Sequence, residues 1–127
     1  MLRRAALFVL FAVLPGLAAA EGWSLAASGA EFRRIDDRES FVRIVEQGTL
    51  SRFGITLRVV PDGRIEGRAF GRDVTGQWDW RQGYFCRDLD WGSTELGQNC
   101  QEVRVSGRLV RFTSDQGKGR FADLRLE

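Results

Sequence analysis

Three observations place this chain among small antiparallel β-barrels or half-barrels. From Phe53 to Trp91 apolar and polar side chains alternate with a period of two. The run is punctuated by turn-forming groups, Pro61-Asp62-Gly63, Gly71-Arg72 and Gln82-Gly83. The registers that these turns dictate all put the apolar positions on one face. Strands joined in sequence by short turns form a meander, and the twist of such a sheet tends to close it. The sequence therefore predicts about seven strands over about 52–126, mainly β, preceded by one short helix over about 37–47.

Residues 1–20 carry Arg3 and Arg4, then an apolar run from Ala5 to Leu14, then Ala18-Ala19-Ala20, which is the layout of a secretory signal peptide cleaved before Glu21. Pro15-Gly16 breaks the run well short of the roughly 20 apolar residues that a membrane span needs. No cysteine follows the cleavage point, so the pattern is not that of a lipoprotein. The expected product is a single domain over 21–127, periplasmic or secreted, with no membrane span after cleavage.

Export changes the charge argument. The formal charge of +2 is carried by Arg3 and Arg4; without them 17 of the 19 basic residues remain against 17 acidic ones. A neutral domain lacks the basic excess that nucleic-acid binding requires, and no nucleic-acid partner is expected.

Taken in order, Glu21 to Ile35 is a lead-in with Trp23 and Phe32 near its ends and room for a short strand. Asp36 to Gly48 is the helical stretch: Asp36 can cap it, Glu39 follows three residues on, and Phe41, Ile44 and Val45 make one apolar stripe before Gly48 ends it. The turn at Pro61-Asp62-Gly63 sets Val59 against Ile65, Leu57 against Gly67 and Ile55 against Ala69, with Arg58 facing Glu66 across the solvent side. A turn at Gly71-Arg72 sets Ala69 against Val74, Gly67 against Gly76 and Ile65 against Trp78. Glycines in such positions suit a sharply coiled sheet whose backbones crowd, and also leave room for indoles. A turn at Gln82-Gly83 pairs Arg81 with Tyr84, Trp80 with Phe85 and Trp78 with Arg87.

Gly92 to Asn99 reads as a polar loop, tied down by a disulfide between Cys86 and Cys100, the only two cysteines. Closing a loop of about 15 residues would stabilise the fold by about 3 kcal/mol. Gln101 to Val105 and Leu109 to Ser114 form a hairpin around Ser106-Gly107 for which two registers fit equally. Phe121 to Leu126 makes a last strand with Ala122, Leu124 and Leu126 on one face.

The chain has no histidine, so it lacks the commonest general base and zinc ligand. Paired carboxylates are the remaining catalytic option, and Asp79, Asp88 and Asp90 fall near one another, but on the solvent face of the expected sheet. A calcium site at Asp88 and Asp90 is a further possibility on that face. No cofactor, metal or catalytic residue is assigned. Arg87 falls on the apolar face opposite Trp78, where a guanidinium either stacks on the indole or meets an anion inside. If the barrel encloses a cavity, Trp78, Trp80, Arg87 and Trp91 form the expected site for a small anionic or aromatic ligand.

The run from Gly63 through Gly117, with GRAFGRDVTGQWDW, GYFCRDLDWG, a second cysteine and RFTSDQGKG, resembles a group of small exported alphaproteobacterial proteins of unknown function. Some of that group carry the inherited name dihydrodipicolinate reductase. That name implies a dinucleotide-dependent enzyme with a strand-glycine turn-helix unit, for which Gly117, Gly119 and Ala122 supply the one GxGxxA match. The residues themselves point to an exported monomeric binding module for a small molecule. A protein-protein module presenting Gly92 to Asn99, such as an inhibitor of an envelope enzyme, is the alternative, and an enzyme, with the inherited activity or a carboxylate pair, comes third.

Overall fold

The computed structural model describes residues 31–127; the expected signal peptide, 1–20, and the first part of the lead-in lie outside the described residues. Nine strands and one helix follow in order: β1 (Arg33–Ile35), α1 (Arg38–Val45), β2 (Leu50–Arg52), β3 (Ile55–Val59), β4 (Arg64–Ala69), β5 (Arg72–Arg81), β6 (Tyr84–Trp91), β7 (Thr94–Ser106), β8 (Leu109–Thr113) and β9 (Phe121–Leu126). From β2 onward each strand pairs antiparallel with the next, and β9 returns to β2 through Leu50 opposite Leu126 and Ser51 opposite Arg125. Eight strands thus close into a barrel, as the alternation and short turns predict. β1 lies outside it, paired with Val103, Arg104 and Val105 of β7 on the edge opposite β8.

The inward positions make the core. Val59, Ile65, Val74, Trp78, Phe85, Val103, Val110, Phe112, Leu124 and Leu126 are all buried. The outward positions of β3 to β6 are charged or polar, with Arg58, Arg68, Thr75, Gln77, Asp79, Arg81 and Asp88 exposed. Apolar inside and charged outside is the reverse of a membrane-spanning barrel. Among the described residues no helix is long and apolar enough to cross a bilayer.

Helix α1 plugs one end. Phe41 has no exposed surface, and its ring centroid lies 5.3 Å from Trp78, 5.1 Å from Trp80, 5.0 Å from Phe85 and 6.4 Å from Phe112. Val45 is buried beside it, so the expected stripe is the docking face. The cap sits one residue later than the sequence suggested. Asp36 is engaged elsewhere, its carbonyl accepting from Trp80 Nε1 at 3.1 Å and its carboxylate pairing with Arg34 at 3.4 Å. Asp37 is the cap, accepting from the Ser40 backbone N–H at 2.8 Å and from the Ser40 hydroxyl at 2.9 Å. Those two hydrogen bonds, the backbone one first, hold its carboxyl below the ordinary aspartate value.

Three other expectations are corrected, and one left open is decided. The β4–β5 turn is Phe70-Gly71, not Gly71-Arg72, so Gly67 faces Val74 and Ile65 faces Gly76. Both turn residues have positive φ, 50° and 81°, as a two-residue hairpin requires, and the shift sets Arg68 opposite Asp73 in a 2.8 Å ion pair. The parity of the strand survives, so the buried face is unchanged. Phe53 is not an inward residue: Gly54, at φ 76°, turns the chain there and separates β2 from β3, giving more strands than the seven expected. Gly92 to Asn99 is not a loop. Gly92-Ser93 is a tight turn, and the rest belongs to β7, paired with β6 across a bulge that leaves Leu96 unpaired. The β7–β8 hairpin turns at Gly107-Arg108, with Val105 opposite Val110, which decides between the two open registers.

Cys86 and Cys100 are directly opposite on β6 and β7 and form the disulfide. At Gly67 and Gly76 the backbone of the adjacent strand, at Thr56 and Asp88 respectively, stands where a Cβ would be, so both glycines are needed for the tight coiling. Gly76→Ala should therefore cost about 1–3 kcal/mol by overpacking, read as a lower urea midpoint at unchanged slope. Cys86→Ser should lower the thermal midpoint under oxidising conditions, by the equivalent of about 3 kcal/mol.

Candidate functional site: a cavity in the open half of the barrel

With α1 filling one end, the turns β2–β3, β4–β5 and β6–β7 and the β8–β9 connection crowd the other. Inside this half the barrel holds a cavity of about 200 Å³. Its apolar wall comes from Leu50, Ile55, Leu57, Val59 and Ile65 on one side and Phe85, Leu89, Phe112 and Leu124 on the other. Ala122 leaves part of the volume empty by being small. Three polar side chains complete the lining: Arg52, Arg87 and Gln101.

Arg87 is the chemically distinctive member. Its inward position follows from the β5–β6 register, opposite Trp78 and next to Phe85 and Leu89 along the face. The guanidinium is half-buried and donates through Nη1 to the Gly97 carbonyl at 2.8 Å, across the bulge in β7. Burial pushes its pKa below the usual arginine value, and the neighbouring Asp88 opposes that less strongly. It takes part in none of the ion pairs formed among the described residues. A half-buried cation that forms no ion pair is well placed to take an anion.

The four residues expected to form one site are not gathered around this cavity. Arg87 is in its wall. Trp78 is buried at the helix end, donating from Nε1 to the Val60 carbonyl at 2.8 Å, with the Arg38 guanidinium 5.2 Å from its ring. Trp80 packs on Phe41 and donates to Asp36. Trp91, near the open end, donates to the Ala69 carbonyl at 2.7 Å and stacks under Arg72 at 4.8 Å. Each indole N–H thus already has a backbone partner. Sequence reasoning missed Leu57, Gln101 and Ala122 as wall residues. Gln101, a polar residue at an inward position opposite Phe85, was the available signal, hidden by the undecided register after Cys100.

The carboxylates lie elsewhere. Asp79 pairs with Arg81 at 3.1 Å beside a shallow polar groove bounded by Gln77, Asp88, Gln98, Asn99 and the disulfide, to which Trp78 and Arg87 also contribute, so Arg87 lines both this groove and the cavity. Among the described residues no three potential metal ligands converge. Gly117 and Gly119 lie in the β8–β9 connection and Ala122 in β9, not between a strand and a helix. Compared with protein-family models, curated proteins and solved structures, the chain matches none.

An arginine kept half-buried without an ion pair should weaken the fold. Arg87→Met, which fills a similar length with apolar atoms, is expected to raise stability by on the order of 1 kcal/mol, or about 4–8 °C in Tm. Differential scanning calorimetry of the two proteins measures it.

Proposed function

We propose that the protein is a periplasmic or secreted binding module that takes a small anionic amphiphile into the barrel, with its apolar body among Leu57, Ile65, Leu89 and Phe112 and its anionic group on Arg87. The observation that carries this reading is the conjunction of an apolar chamber with a half-buried guanidinium, Arg87, that forms no ion pair among the described residues; Arg52, which is exposed, is the second cation of the lining. The volume, about 200 Å³, suits a six-carbon ring or short acyl chain, since an apolar cavity of about 150 Å³ accommodates benzene. Apolar burial supplies affinity, and the charge-assisted hydrogen bond supplies orientation. The disulfide fits an oxidising compartment and so agrees with the reading of residues 1–20 as a signal peptide. A monomer is sufficient for this function, because every cavity residue comes from one chain.

Calorimetric titration of the oxidised protein with benzoate and hexanoate, and with the neutral benzyl alcohol and hexanol, tests the reading. The acids should bind about ten-fold or more tighter than the alcohols, Arg87→Met should remove that preference, and Ala122→Phe should abolish binding of all four. Absence of binding by the whole panel, or binding that Ala122→Phe leaves untouched, would overturn it.

A further inference from the structure

The lining of the cavity carries two positive charges and no negative one, Arg52 and Arg87 being its only charged members. Neither takes part in an ion pair formed among the described residues. The acids at the same end of the barrel are engaged or directed elsewhere. Asp73 pairs with Arg68 at 2.8 Å and Glu102 with Arg104, while Asp90 lines an outer groove with Glu66 and Thr75, and the exposed Glu95 stands opposite Asp90 on β7. An apolar chamber with two unmatched cations in its wall suits a ligand with two negative charges, because each cation gains there a counter-charge that no lining side chain provides.

The register sets the two cations on opposite walls. β2 and β6 are four strands apart in the ring of eight, whichever way it is followed. From Arg52, paired positions lead through Ile55, Ala69 and Arg72 to a level two residues beyond the end of β6 at Trp91. The other way round they lead through Leu124, Val110 and Val105 to a level three residues before its start at Tyr84. Barrel strands are tilted, so the position directly across lies midway between those two levels, and Arg87 occupies it.

The cations are also held apart. Arg87 is half-buried and its Nη1 donates to the Gly97 carbonyl at 2.8 Å, on the β7 side, whereas Arg52 is exposed at the last position of β2. A single doubly charged group would have to draw both guanidinium groups to one point, pulling Arg87 off Gly97 or Arg52 across the barrel. A ligand charged at each end requires neither. We propose that the ligand of this cavity is an α,ω-dicarboxylate, with one carboxylate on Arg87 inside the barrel, the other on Arg52 at the rim, and the carbon chain between them against Leu57 and Leu89. The inference rests on the reading of the cavity as a ligand site and narrows it to a dianion. The volume of about 200 Å³ admits a chain of about six carbons.

Calorimetric titration of the oxidised protein at low salt with adipate, monomethyl adipate and phenyl phosphate tests this. The ester has the same chain and one charge fewer. Adipate should bind about ten-fold tighter, about two-fold because either end can enter first and about five-fold from Arg52, as much as an exposed ion pair gives. Arg52→Met should bring the ratio down to about two, Arg52→Lys should keep most of it, and about 1 M sodium chloride should shrink it. Because the ratio is taken within one variant, it does not depend on how much of that variant is folded. Arg87→Met should weaken both ligands by about ten-fold. A ratio of about two in the unsubstituted protein, or a ratio that Arg52→Met leaves at about ten, would overturn the dicarboxylate while the cavity reading stands, since the ester still carries a carboxylate for Arg87. Phenyl phosphate binding more tightly than adipate would also overturn it, by showing both cations on one group. Binding of none of the three would overturn both readings.

Discussion

The packing of Phe41 against Trp78, Trp80, Phe85 and Phe112 is the contact on which the rest of the molecule depends. A barrel of eight short strands has an interior just wide enough for side chains to fill or for one small ligand. Here the two options divide the barrel between its ends. At the helix end, one phenylalanine and the large rings around it exclude water, each buried aromatic contributing on the order of 1.5–3 kcal/mol. At the other end the inward residues are Ile55, Leu57, Leu89 and Ala122, which are too small to meet across the axis, and a cavity remains. The plug makes the open half possible, because the aromatic end supplies the stability that the open end forgoes.

Several local disadvantages lie in or around the open half. Arg87 is desolvated without an ion pair, Phe70 is held left-handed in water, and Asp115 and Gln116 take positive φ in the β8–β9 connection, all in or around the open half. The Asp115 conformation is supported by Asn99, whose side chain donates to the carboxylate and accepts from the Asp115 N–H at 3.0 Å. At the helix end the Trp78 and Trp80 N–H groups each meet a carbonyl, while the buried Arg34 Nε, 3.4 Å from the Asp36 carboxylate, makes no hydrogen bond. Gln82, at φ 54° in the β5–β6 turn, shows that the helix end also holds a residue away from its local preference.

Much of the barrel was legible because its strands alternate cleanly and three of its turns carry glycine at diagnostic places. The β5–β6 and β3–β4 registers follow directly from Gln82-Gly83 and Pro61-Asp62-Gly63. The β4–β5 turn was misplaced by one residue because phenylalanine is not a residue that pattern reasoning puts at positive φ. The Phe53-Gly54 pair hides its turn differently: Phe53 continues the alternation, and only Gly54 takes positive φ. The Gly92 to Asn99 stretch looked like a loop because its side chains are small and polar; its structure comes from backbone pairing to β6, which composition does not record. The candidate site was only partly legible. Trp78 and Trp80 were noticed for their size, yet size is what makes them plug, whereas a cavity is written in what its walls lack. Ala122 has no signature in a single sequence.

The position of the disulfide ties these points together. Cys86 and Cys100 are directly paired, and their sequence neighbours Phe85, Arg87 and Gln101 line the cavity. The crosslink therefore clamps, from outside, the two strands that carry the cationic and amide groups of the cavity. Beyond it β7 bulges, and the Gly97 carbonyl there receives the Arg87 guanidinium. A bond placed for stability alone would serve as well anywhere that closes a loop of similar length, since loop-closure entropy is indifferent to what lies beneath. Placed here, it limits relative movement of Arg87 and Gln101, and on the function proposed above that would lower the ordering cost of an anion bound at Arg87.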